Sequence, residues 1–585
     1  MMTDRRRAEA RPSARRRVAD HIVEHLAAIG VEHIFGVGGA NIEDLYDAAY
    51  FQREVTAILA KHEFSAATMA DGYSRSGAGL GVVMATSGGG CLNTVSGLGE
   101  SLASRVPVLA LIGQPPTMLD GRGAFQDTSG RNGALNGEAL FSAVSVFCRR
   151  IVQPGDIVSA LPQAIAAART GGPAVLLLPK NVQQAEVGTT GSGEVIQLNG
   201  QFGDPYPIAR ELRCVSGPVT IIAGEQVARD DARLELEELR AILRARVATV
   251  PEAKDVAGMP GLGSSSALGV TGVMGHLGVA AAVADSALCL LVGTRMSVTA
   301  RTGLDDVLAS VPTYSIGSAP PYVPCTHVRT DNLRGSLSLL TLALTGHGRA
   351  TGVRVPDVVL HNELVPPAYE GLGVRYRDAM RTLGAALPNG VDVVVDAGNI
   401  GASAIHYLPV RRDGRFIVAL GMGGMGYAFG AGVGMAFRRK RRTVVIAGDG
   451  AFYMHGMEIH TALQYRLPVT FVLFDNHAHA MCVTREQLFY KDLYSYNRFG
   501  PSRLGAGLAA MFPTLPSVDV LEIDELPEAM ETALGVDGPS VVSVECSADE
   551  IPPFAPFLGN SAPKTAKTND HPTAKEIHDD VAARA

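Results

Sequence analysis

Two polar turns in the C-terminal third of the chain carry residue types that bind a metal ion and a diphosphate. Gly448-Asp449-Gly450 ends one apolar run, and Asp475-Asn476 ends the next, with Asn476 27 residues after Asp449. The segment between them has helical spacing, which predicts a β-α-β unit whose turns lie at one edge of a parallel sheet. Asp449 and Asn476 would offer oxygen ligands to Mg²⁺, and the glycines would let backbone N–H groups approach a diphosphate.

Glu63 is a second candidate for chemistry. It follows a predicted strand at residues 55–60 and opens an apolar helix, so its carboxylate is expected to be partly buried. A carboxylate in that place suits proton exchange with a heterocycle. The alternative is a solvated glutamate at a helix start, because acidic residues favour helix N-termini.

These turns need sheets to position them, and strands alternate with helices along most of the chain. The pattern predicts an α/β fold of three parallel-sheet domains, at residues 18–188, 208–345 and 372–557, with fewer strands in the second. Linkers are predicted at about residues 189–207 and 346–371. The Arg-rich residues 1–17 and the polar residues 559–585 are expected to be disordered tails.

The composition argues against several classes of partner. A chain of 585 residues that is 46% hydrophobic and 19% charged is typical of a globular protein with several domains. Its net charge of −7 argues against nucleic acid, and no apolar stretch reaches the roughly 18 residues that a membrane span needs. Seven scattered cysteines without a Cys-x-x-Cys pair are typical of reduced thiols, so we expect a cytoplasmic protein.

Several motifs together resemble the thiamine diphosphate-dependent enzymes, in the acetolactate synthase-like branch of 2-keto acid decarboxylases and carboligases. They are His62-Glu63, the turn Ser87-Gly-Gly-Gly90, and the two turns at Asp449 and Asn476. Further matching segments are Phe35-Gly36, Thr86-Ser87-Gly88, Asn93, Gly113-Gln114, Ala124-Phe125-Gln126 and Gly421-Met-Gly-Gly-Met-Gly426. The resemblance covers about residues 18–557 and implies a pyrimidine-binding domain, a central Rossmann-like domain and a diphosphate-binding domain.

The resemblance implies a role for each matching position. Glu63 would contact N1′ of the cofactor's aminopyrimidine and drive the imino tautomer, while Gly423 would offer its carbonyl to the 4′-amino group. Met425 would hold the cofactor in its bent V shape. The other implied site residues are Gln126 for catalysis; Asp449, Asn476 and the Ala478 carbonyl for Mg²⁺ and the cofactor; Asn399, Gly448, Gly450, Ala451, Ala480 and Met481 for the cofactor; and Gly38, Phe125, His479 and Arg485 for the substrate.

Some positions depart from the family pattern. Acetolactate synthases have Pro where this chain has Gly38, Trp where it has Arg485, and Gln-His-Gln diphosphate donors where it reads Gly398-Asn399-Ile400-Gly401. We hypothesise that Arg485 binds an anionic group of the acceptor, because guanidinium groups pair well with carboxylate or phosphate. The alternative is a surface arginine at a helix start. His477 and His479 stand in a loop that is usually less basic. Either they are ordinary polar loop residues, or one of them relays protons to the intermediate.

The implied activity is thiamine diphosphate- and Mg²⁺-dependent carboligation. The enzyme would decarboxylate a 2-keto acid, expected to be pyruvate, and transfer the acyl-anion equivalent to a second carbonyl compound. The runner-up is a simple decarboxylase that releases an aldehyde, but the His-His pair that such enzymes often carry in the first domain is absent. Whether the central domain binds FAD stays open, because residues 270–276 and 293–295 match flavin-binding relatives at too few positions.

The family also implies a homodimer or homotetramer with active sites at the subunit interface. In that arrangement Glu63 of one subunit faces the Gly-Asp-Gly turn of another. The chain therefore would carry two half-sites, one in its first domain and one in its third.

Two alternatives belong to other classes. A nicotinamide-dependent Rossmann oxidoreductase is one, because Gly421-Met-Gly-Gly-Met-Gly426 fits Gly-x-Gly-x-x-Gly after a strand and Asp449 ends the next strand. In that case Asn476 and Glu63 would have no task. A non-catalytic relative that binds thiamine diphosphate is expected to lack Glu63 or a metal ligand, and both are present.

Overall fold

The computed structural model describes residues 16–77, 79–187, 201–257, 267–345, 362–410 and 413–559. Within them lie three sheets of six strands each, and every strand pair is parallel. The predicted α/β class with three parallel-sheet domains is thus confirmed. Most of the predicted tails (1–17 and 559–585) and of the predicted linkers (189–207 and 346–371) lie outside the described residues. The exact domain boundaries stay predictions.

The first sheet has the strand order β2-β1-β3-β4-β6-β5. Its strands are β1 His33–Gly36, β2 Thr56–Leu59, β3 Gly81–Ala85, β4 Val108–Gln114, β5 Phe147–Arg150 and β6 Pro173–Pro179. Its helices are α1 Val18–Ala28, α2 Glu43–Phe51, α3 Glu63–Arg75, α4 Gly89–Ala103, α5 Gly137–Ser142, α6 Ile157–Arg169 and α7 Lys180–Gln184. The strands β3, β4 and β6 are buried along their whole length, as expected for a parallel sheet covered on both faces.

The central sheet has the order β12-β11-β10-β7-β8-β9. Its strands are β7 Val219–Ala223, β8 Arg246–Thr249, β9 Ala267–Val270, β10 Leu288–Val292, β11 Thr313–Gly317 and β12 Thr326–Arg329. Its helices are α8 Tyr206–Cys214, α9 Glu225–Arg229, α10 Arg233–Leu243, α11 Gly278–Ala284, α12 Val298–Arg301, α13 Asp305–Ser310 and α14 Leu333–Leu344. The expectation of fewer strands here was wrong, because three of the six span only four residues and leave a weak sequence pattern.

The third sheet has the order β14-β13-β15-β16-β18-β17. Its strands are β13 Asp392–Val395, β14 Phe416–Val418, β15 Thr443–Gly448, β16 Val469–Asp475, β17 Ser517–Val520 and β18 Ser540–Glu545. Its helices are α15 Tyr376–Ala386, α16 Asn399–Tyr407, α17 Tyr427–Arg439, α18 Asp449–His455, α19 Glu458–Tyr465, α20 Ala480–Phe489, α21 Leu504–Met511, α22 Leu526–Gly535 and α23 Ala555–Leu558. The strand order reverses between β13 and β15, the kind of edge where open α/β sheets bind ligands.

The first and third domains share one hydrophobic core, because α3 crosses α17 at close range. Glycines make the crossing possible: a Cβ on Gly72 would lie 2.2 Å from the Ala431 carbonyl oxygen, and one on Gly434 would lie 2.0 Å from that of Met69. Only backbones without side chains can approach this closely. The helix α3, which begins at Glu63, and the helix α17, which follows the Gly421–Gly426 loop, are therefore in backbone contact.

Candidate active site

Asp449 and Asn476 converge at the carboxyl edge of the third sheet. The strands β15 and β16 are neighbours, and Gly448 pairs with Phe474 at their ends. The Asp449 side chain is fully buried, and its two oxygens accept hydrogen bonds from the N–H groups of Gly450 at 2.8 Å and Ala478 at 3.2 Å. The Asn476 side-chain oxygen accepts from the same Ala478 N–H at 3.1 Å. The structure therefore brings the side-chain oxygens of Asp449 and Asn476 together at the backbone of Ala478.

The electrostatics of this edge favour a divalent cation. Burial, together with the charge of Asp475, raises the pKa of Asp449. One ligand atom each from Asp449, Asp475 and His477 lies within 4.8 Å of the others. Two buried carboxylates with raised pKa values are stabilised in their charged form by a metal ion. The donor set is oxygen-rich, so the residues present fit Mg²⁺.

His477 bridges two carboxylates beside the metal ligands. Its Nδ1 lies 3.2 Å from an Asp475 oxygen and its Nε2 lies 2.9 Å from a Glu545 oxygen. Burial opposes a charge on the ring, but the hydrogen bond with Glu545 and the charge of Asp475 outweigh it and raise the pKa of His477. Asp475 also accepts a hydrogen bond from the Ser502 hydroxyl. His477 therefore joins the ends of β16 and β18, a contact that sequence reasoning missed.

Met425, Gly450 and His479 lie against one another above the metal ligands. A Cβ on Gly450 would sit 2.5 Å from His479 Nδ1 and 3.3 Å from the Met425 terminal methyl carbon, so only glycine fits there. The His479 ring packs edge-on against Phe499 at 4.8 Å between ring centres. Its backbone N–H donates to the Asn497 carbonyl at 2.8 Å, which ties residues 490–499 to the loop.

The remaining cofactor candidates surround the same edge. Ala480 and Met481 begin α20, and Gly448 and Ala451 flank Asp449 at the start of α18. Asn399 is buried at the start of α16, and its amide donates to the Thr484 hydroxyl at 3.2 Å on α20. Its other side-chain atom is buried and has no partner among the described residues, so it is available to a ligand.

Glu63 lies at the first turn of α3, where the His62 ring accepts the Phe64 N–H at 3.1 Å and caps the helix. The Glu63 carboxylate accepts a hydrogen bond from the Asn93 side chain at 3.0 Å. A Cβ on Gly90 would lie 3.0 Å from the other carboxylate oxygen. The start of α4 therefore holds a half-buried Glu63, and the alternative of a fully solvated side chain is not what the structure shows.

Gln126 belongs to a second contact group in the first domain. Its side-chain oxygen accepts from the Ser87 hydroxyl at 3.3 Å, and the Ser87 hydroxyl accepts from the Asn41 amide at 2.7 Å. The turn at Gly88 has φ 62°, and a Cβ there would lie 2.6 Å from Gln126 Cγ. The glycine-rich turn and Gln126 are thus packed as one unit.

The predicted substrate residues are open to solvent in the single chain. Phe125 is 83% exposed, Gly38 and Arg485 are exposed, and His479 is half-buried. Among the described residues, Arg485 forms no ion pair and no hydrogen bond through its side chain. A Cβ on Gly38 would meet nothing within 4 Å. These surfaces are free to face a substrate or another subunit.

Sequence reasoning missed three further residues near the predicted Gly423 and Met425. Asp396, buried at the end of β13, accepts the N–H groups of Gly426 at 3.1 Å and Ala428 at 2.9 Å. Glu100 on α4 contacts the other end of that loop. The His455 ring lies over Phe64, and burial, with the neighbouring His62, lowers its pKa to about 4. Asp396 ends an apolar run as Asp449 does, a signal that could have found it.

The central domain is the one for which FAD binding was left open, and Gln226 lies on α9 at an edge of its sheet. There the Gln226 N–H donates to the Gly293 carbonyl at 3.1 Å, and its side chain accepts from the Ser318 N–H at 2.7 Å. The same side chain donates to the Thr330 carbonyl at 3.2 Å. Gln226 thus joins the ends of β7, β10, β11 and β12, the point where strand order reverses and dinucleotides bind.

Comparison with protein families decides between the classes. The N-terminal thiamine pyrophosphate-binding domain of the thiamine pyrophosphate enzymes matches residues 16–133, and their C-terminal thiamine pyrophosphate-binding domain matches residues 396–544. Thiamine pyrophosphate is the thiamine diphosphate of the sequence analysis. The chain therefore carries both thiamine pyrophosphate-binding domains of these enzymes. The two matches contain Glu63 and the Asp449–Asn476 unit respectively, and neither covers the central domain, so they give FAD no support.

Individual relatives are acetolactate synthase large subunits. The chain is 26% identical to the probable acetolactate synthase large subunit of Methanocaldococcus jannaschii, over 92% of this chain and 93% of the relative. It is 28% identical to the acetolactate synthase isozyme 2 large subunit of Escherichia coli, over 92% and 97%. A third is the Lactococcus lactis large subunit, 26% identical over 82% and 84%. The similarity to the acetolactate synthase-like branch of the thiamine pyrophosphate enzymes is thus confirmed.

The alternatives from other classes are not favoured. The Gly421–Gly426 loop is held by the carboxylates of Glu100 and Asp396, and Asp449 is grouped with Asp475 and His477 as potential metal ligands. Within the described part of the chain, no helix combines the length and the apolar character needed to cross a membrane.

Proposed function

We propose that the protein is a thiamine diphosphate- and Mg²⁺-dependent carboligase that decarboxylates pyruvate and transfers the acyl-anion equivalent to a second carbonyl compound. The convergence of Asp449, Asn476 and Ala478 within a matched thiamine pyrophosphate-binding domain carries the proposal. The names of the relatives, acetolactate synthases, support this reaction type over aldehyde release.

The third domain would hold the charged end of the cofactor. Asp449, the Asn476 side chain and the Ala478 carbonyl would bind Mg²⁺, because Asp449 is buried and its carboxylate and the Asn476 side-chain oxygen meet at the same Ala478 N–H. Backbone N–H groups at the starts of α18 and α20 would face the diphosphate, where Gly448, Gly450, Ala451, Ala480 and Met481 lie. Asn399 contributes an unpaired side-chain oxygen, which is a hydrogen-bond acceptor.

The first domain would activate the cofactor. When bound, the thiazolium ring of thiamine diphosphate supplies an electron sink for decarboxylation. Glu63 holds a proton at N1′ of the aminopyrimidine, and its contact with Asn93 keeps the carboxylate in place. The Gly423 carbonyl would accept a hydrogen bond from the 4′-amino group, and Met425 would support the cofactor.

The substrate would lie between the two half-sites. Phe125, Gly38 and Gln126 line the donor side, and Gln126 is held there by Ser87 and Gly88. His479 and Arg485 face the acceptor, and an unpaired guanidinium at Arg485 suits a carboxylate or phosphate on it. The sites form between subunits of a homodimer or homotetramer, so the exposed Phe125 is covered by a partner.

Product analysis tests the proposal. The purified protein is supplied with thiamine diphosphate, Mg²⁺ and a panel of 2-keto acids, with and without carbonyl acceptors. We expect pyruvate to be consumed and a new carbon–carbon bond to form, with no need for a nicotinamide. Release of acetaldehyde in amounts equal to the pyruvate consumed, with no coupled product, would instead assign the simple decarboxylase.

A further inference from the structure

A carboxylate of the first domain holds the loop that precedes α17 in the third. Glu100 lies on α4 and is 2% exposed. Its two oxygens accept the backbone N–H groups of Gly421 at 3.3 Å and Met422 at 2.6 Å. Hydrogen bonds to an ionised acceptor are about twice as strong as neutral ones. Glu100 therefore anchors the first two residues of the loop that contains Gly423.

Glu100 is itself fixed by a buried network. It accepts hydrogen bonds from Arg75 at 3.1 Å and from the Ser104 hydroxyl at 2.6 Å. Burial alone would raise the pKa of Glu100, but the Arg75 charge and the Ser104 hydrogen bond outweigh it and hold the pKa below its ordinary value. The carboxylate is thus kept ionised and oriented toward the loop.

The network continues into both domains through Asp71. This fully buried carboxylate accepts from Arg75 at 2.6 Å and from the Ser101 hydroxyl at 2.7 Å. It also accepts a hydrogen bond from the hydroxyl of Tyr427, the first residue of α17. Three helices, α3, α4 and α17, therefore meet in one set of charge-assisted hydrogen bonds.

Gly423 is the open part of this loop. Gly423 has φ 65°, is exposed, and would have no neighbour within 4 Å of a Cβ. A cavity of about 540 Å³ lies beside the loop and is lined in part by Gly421 and Met422. At its other end the loop is held by Asp396, which belongs to the same domain. Glu100 thus holds the loop backbone by hydrogen bonds from outside the third domain.

We infer that Glu100 is a positioning residue: it sets where the Gly423 carbonyl lies and so aligns the acceptor for the 4′-amino group of the cofactor. The inference rests on the proposed function for the role of that carbonyl, but not for the anchoring of the loop. It makes the geometry of the diphosphate-binding domain depend on its contact with the pyrimidine-binding domain of the same chain. Glu100 touches neither substrate nor cofactor in this account.

The test compares Glu100→Ala, Glu100→Gln and Ser101→Ala. Glu100→Gln keeps a side-chain oxygen acceptor and guards against a failure of Glu100→Ala to fold. Ser101→Ala is the matched control, because it removes a hydrogen bond of the network without touching the loop. The first readout is amide hydrogen exchange of peptides covering residues 420–426 in the protein without cofactor. The second is the rate of C2 proton exchange in bound thiamine diphosphate, measured beside its affinity by calorimetry.

We expect faster amide exchange in this loop and about tenfold slower C2 exchange for Glu100→Ala, with an intermediate effect for Glu100→Gln. The cofactor affinity and the Ser101→Ala control should stay close to the unmodified protein. Unchanged amide exchange, or changed amide exchange with unchanged C2 exchange, would overturn the inference. If the unmodified protein bound no thiamine diphosphate, the proposed function would fail, and amide exchange alone would still decide whether Glu100 anchors the loop.

Discussion

The burial and the raised pKa of Asp449 indicate what kind of ligand it binds. Its carboxylate is buried, accepts the backbone N–H groups of Gly450 and Ala478, and has a pKa raised by burial and by Asp475. A buried charge without a partner is costly, so such a group either takes a proton or binds a cation. In a thiamine pyrophosphate-binding domain, the cation that fits is the Mg²⁺ of the diphosphate.

Magnesium affinity should depend on pH in a direction set by Asp449. A carboxyl with a raised pKa must lose its proton before it binds the metal, so lowering the pH from about 8 to about 6 should weaken Mg²⁺ binding, by up to about tenfold per pH unit. Calorimetric titration of the protein with Mg²⁺ at saturating thiamine diphosphate measures this. Mg²⁺ binding to the free cofactor is the control, and a constant affinity across the range would contradict the account.

Arg485 should influence the choice of acceptor. Because its guanidinium is exposed and unpaired among the described residues, Arg485→Leu should raise the KM for an anionic acceptor by about tenfold, the value of one charge-assisted hydrogen bond, and leave neutral acceptors unchanged. Steady-state kinetics with paired charged and neutral acceptors measures the effect. Arg210→Leu, at an exposed arginine of the central domain, is the control. Equal KM values for both variants would leave Arg485 as a surface residue.

Residue types and spacing predicted some contacts of the site and not others. Asp449 and Asn476 could be placed together because both end neighbouring parallel strands, a relation visible in a local pattern. Glu100 could not be found, because it contacts Met422 across 322 residues of sequence and looks like an ordinary helix glutamate. The contacts of His477 with Asp475 and Glu545 could not be predicted for the same reason. Glu545 ends β18, which pairs with β16 although the two strands are far apart in sequence.

At the scale of elements, the crossing of α3 and α17 couples the two cofactor-binding domains. Each helix starts at a predicted half-site, and glycines let the backbones touch. The alternation of strands and helices was enough to predict parallel sheets, because that pattern is local. The crossing depends on small residues scattered through two distant segments, so it was not predictable from periodicity.

Gly72→Ala should separate these helices. The added Cβ would lie 2.2 Å from the Ala431 carbonyl oxygen, and overpacking of this kind costs roughly 1–3 kcal/mol. We expect a lower temperature for the first thermal transition and weaker thiamine diphosphate binding. The matched control is Gly507→Ala on α21, where nothing lies within 4 Å and the change should be neutral or stabilising by about 0.5–1 kcal/mol. Equal transition temperatures for the two variants would contradict the packing argument.

At the scale of the whole molecule, the proposed site needs two chains. The exposed Phe125 and the open surface at Gly38 are explained if another subunit covers them. The family resemblance predicted this arrangement, whereas the contacts within one chain do not test it. The local pattern of strands and helices predicted the order of the domains. It gave no sign of how subunits assemble, because assembly depends on surfaces with no periodic signature.

Mixing two inactive variants tests the shared site. Glu63→Gln and Asp449→Asn should each be inactive alone, because each removes one half of every site. Unfolded and refolded together, they should recover about a quarter of the unmodified activity, since mixed dimers then contain one intact site. Refolding of each variant alone is the control. If the mixture stayed inactive while mixed dimers formed, Glu63 and Asp449 would have to act within one chain.

The most direct test of the central claim is C2 proton exchange in bound thiamine diphosphate, followed by NMR after transfer to D₂O. We expect fast exchange in the unmodified protein with Mg²⁺, and a rate near that of the free cofactor in Glu63→Gln, although both bind the cofactor equally. Equal exchange rates in the two proteins would contradict this expectation, because Glu63 would then have no part in activating the cofactor.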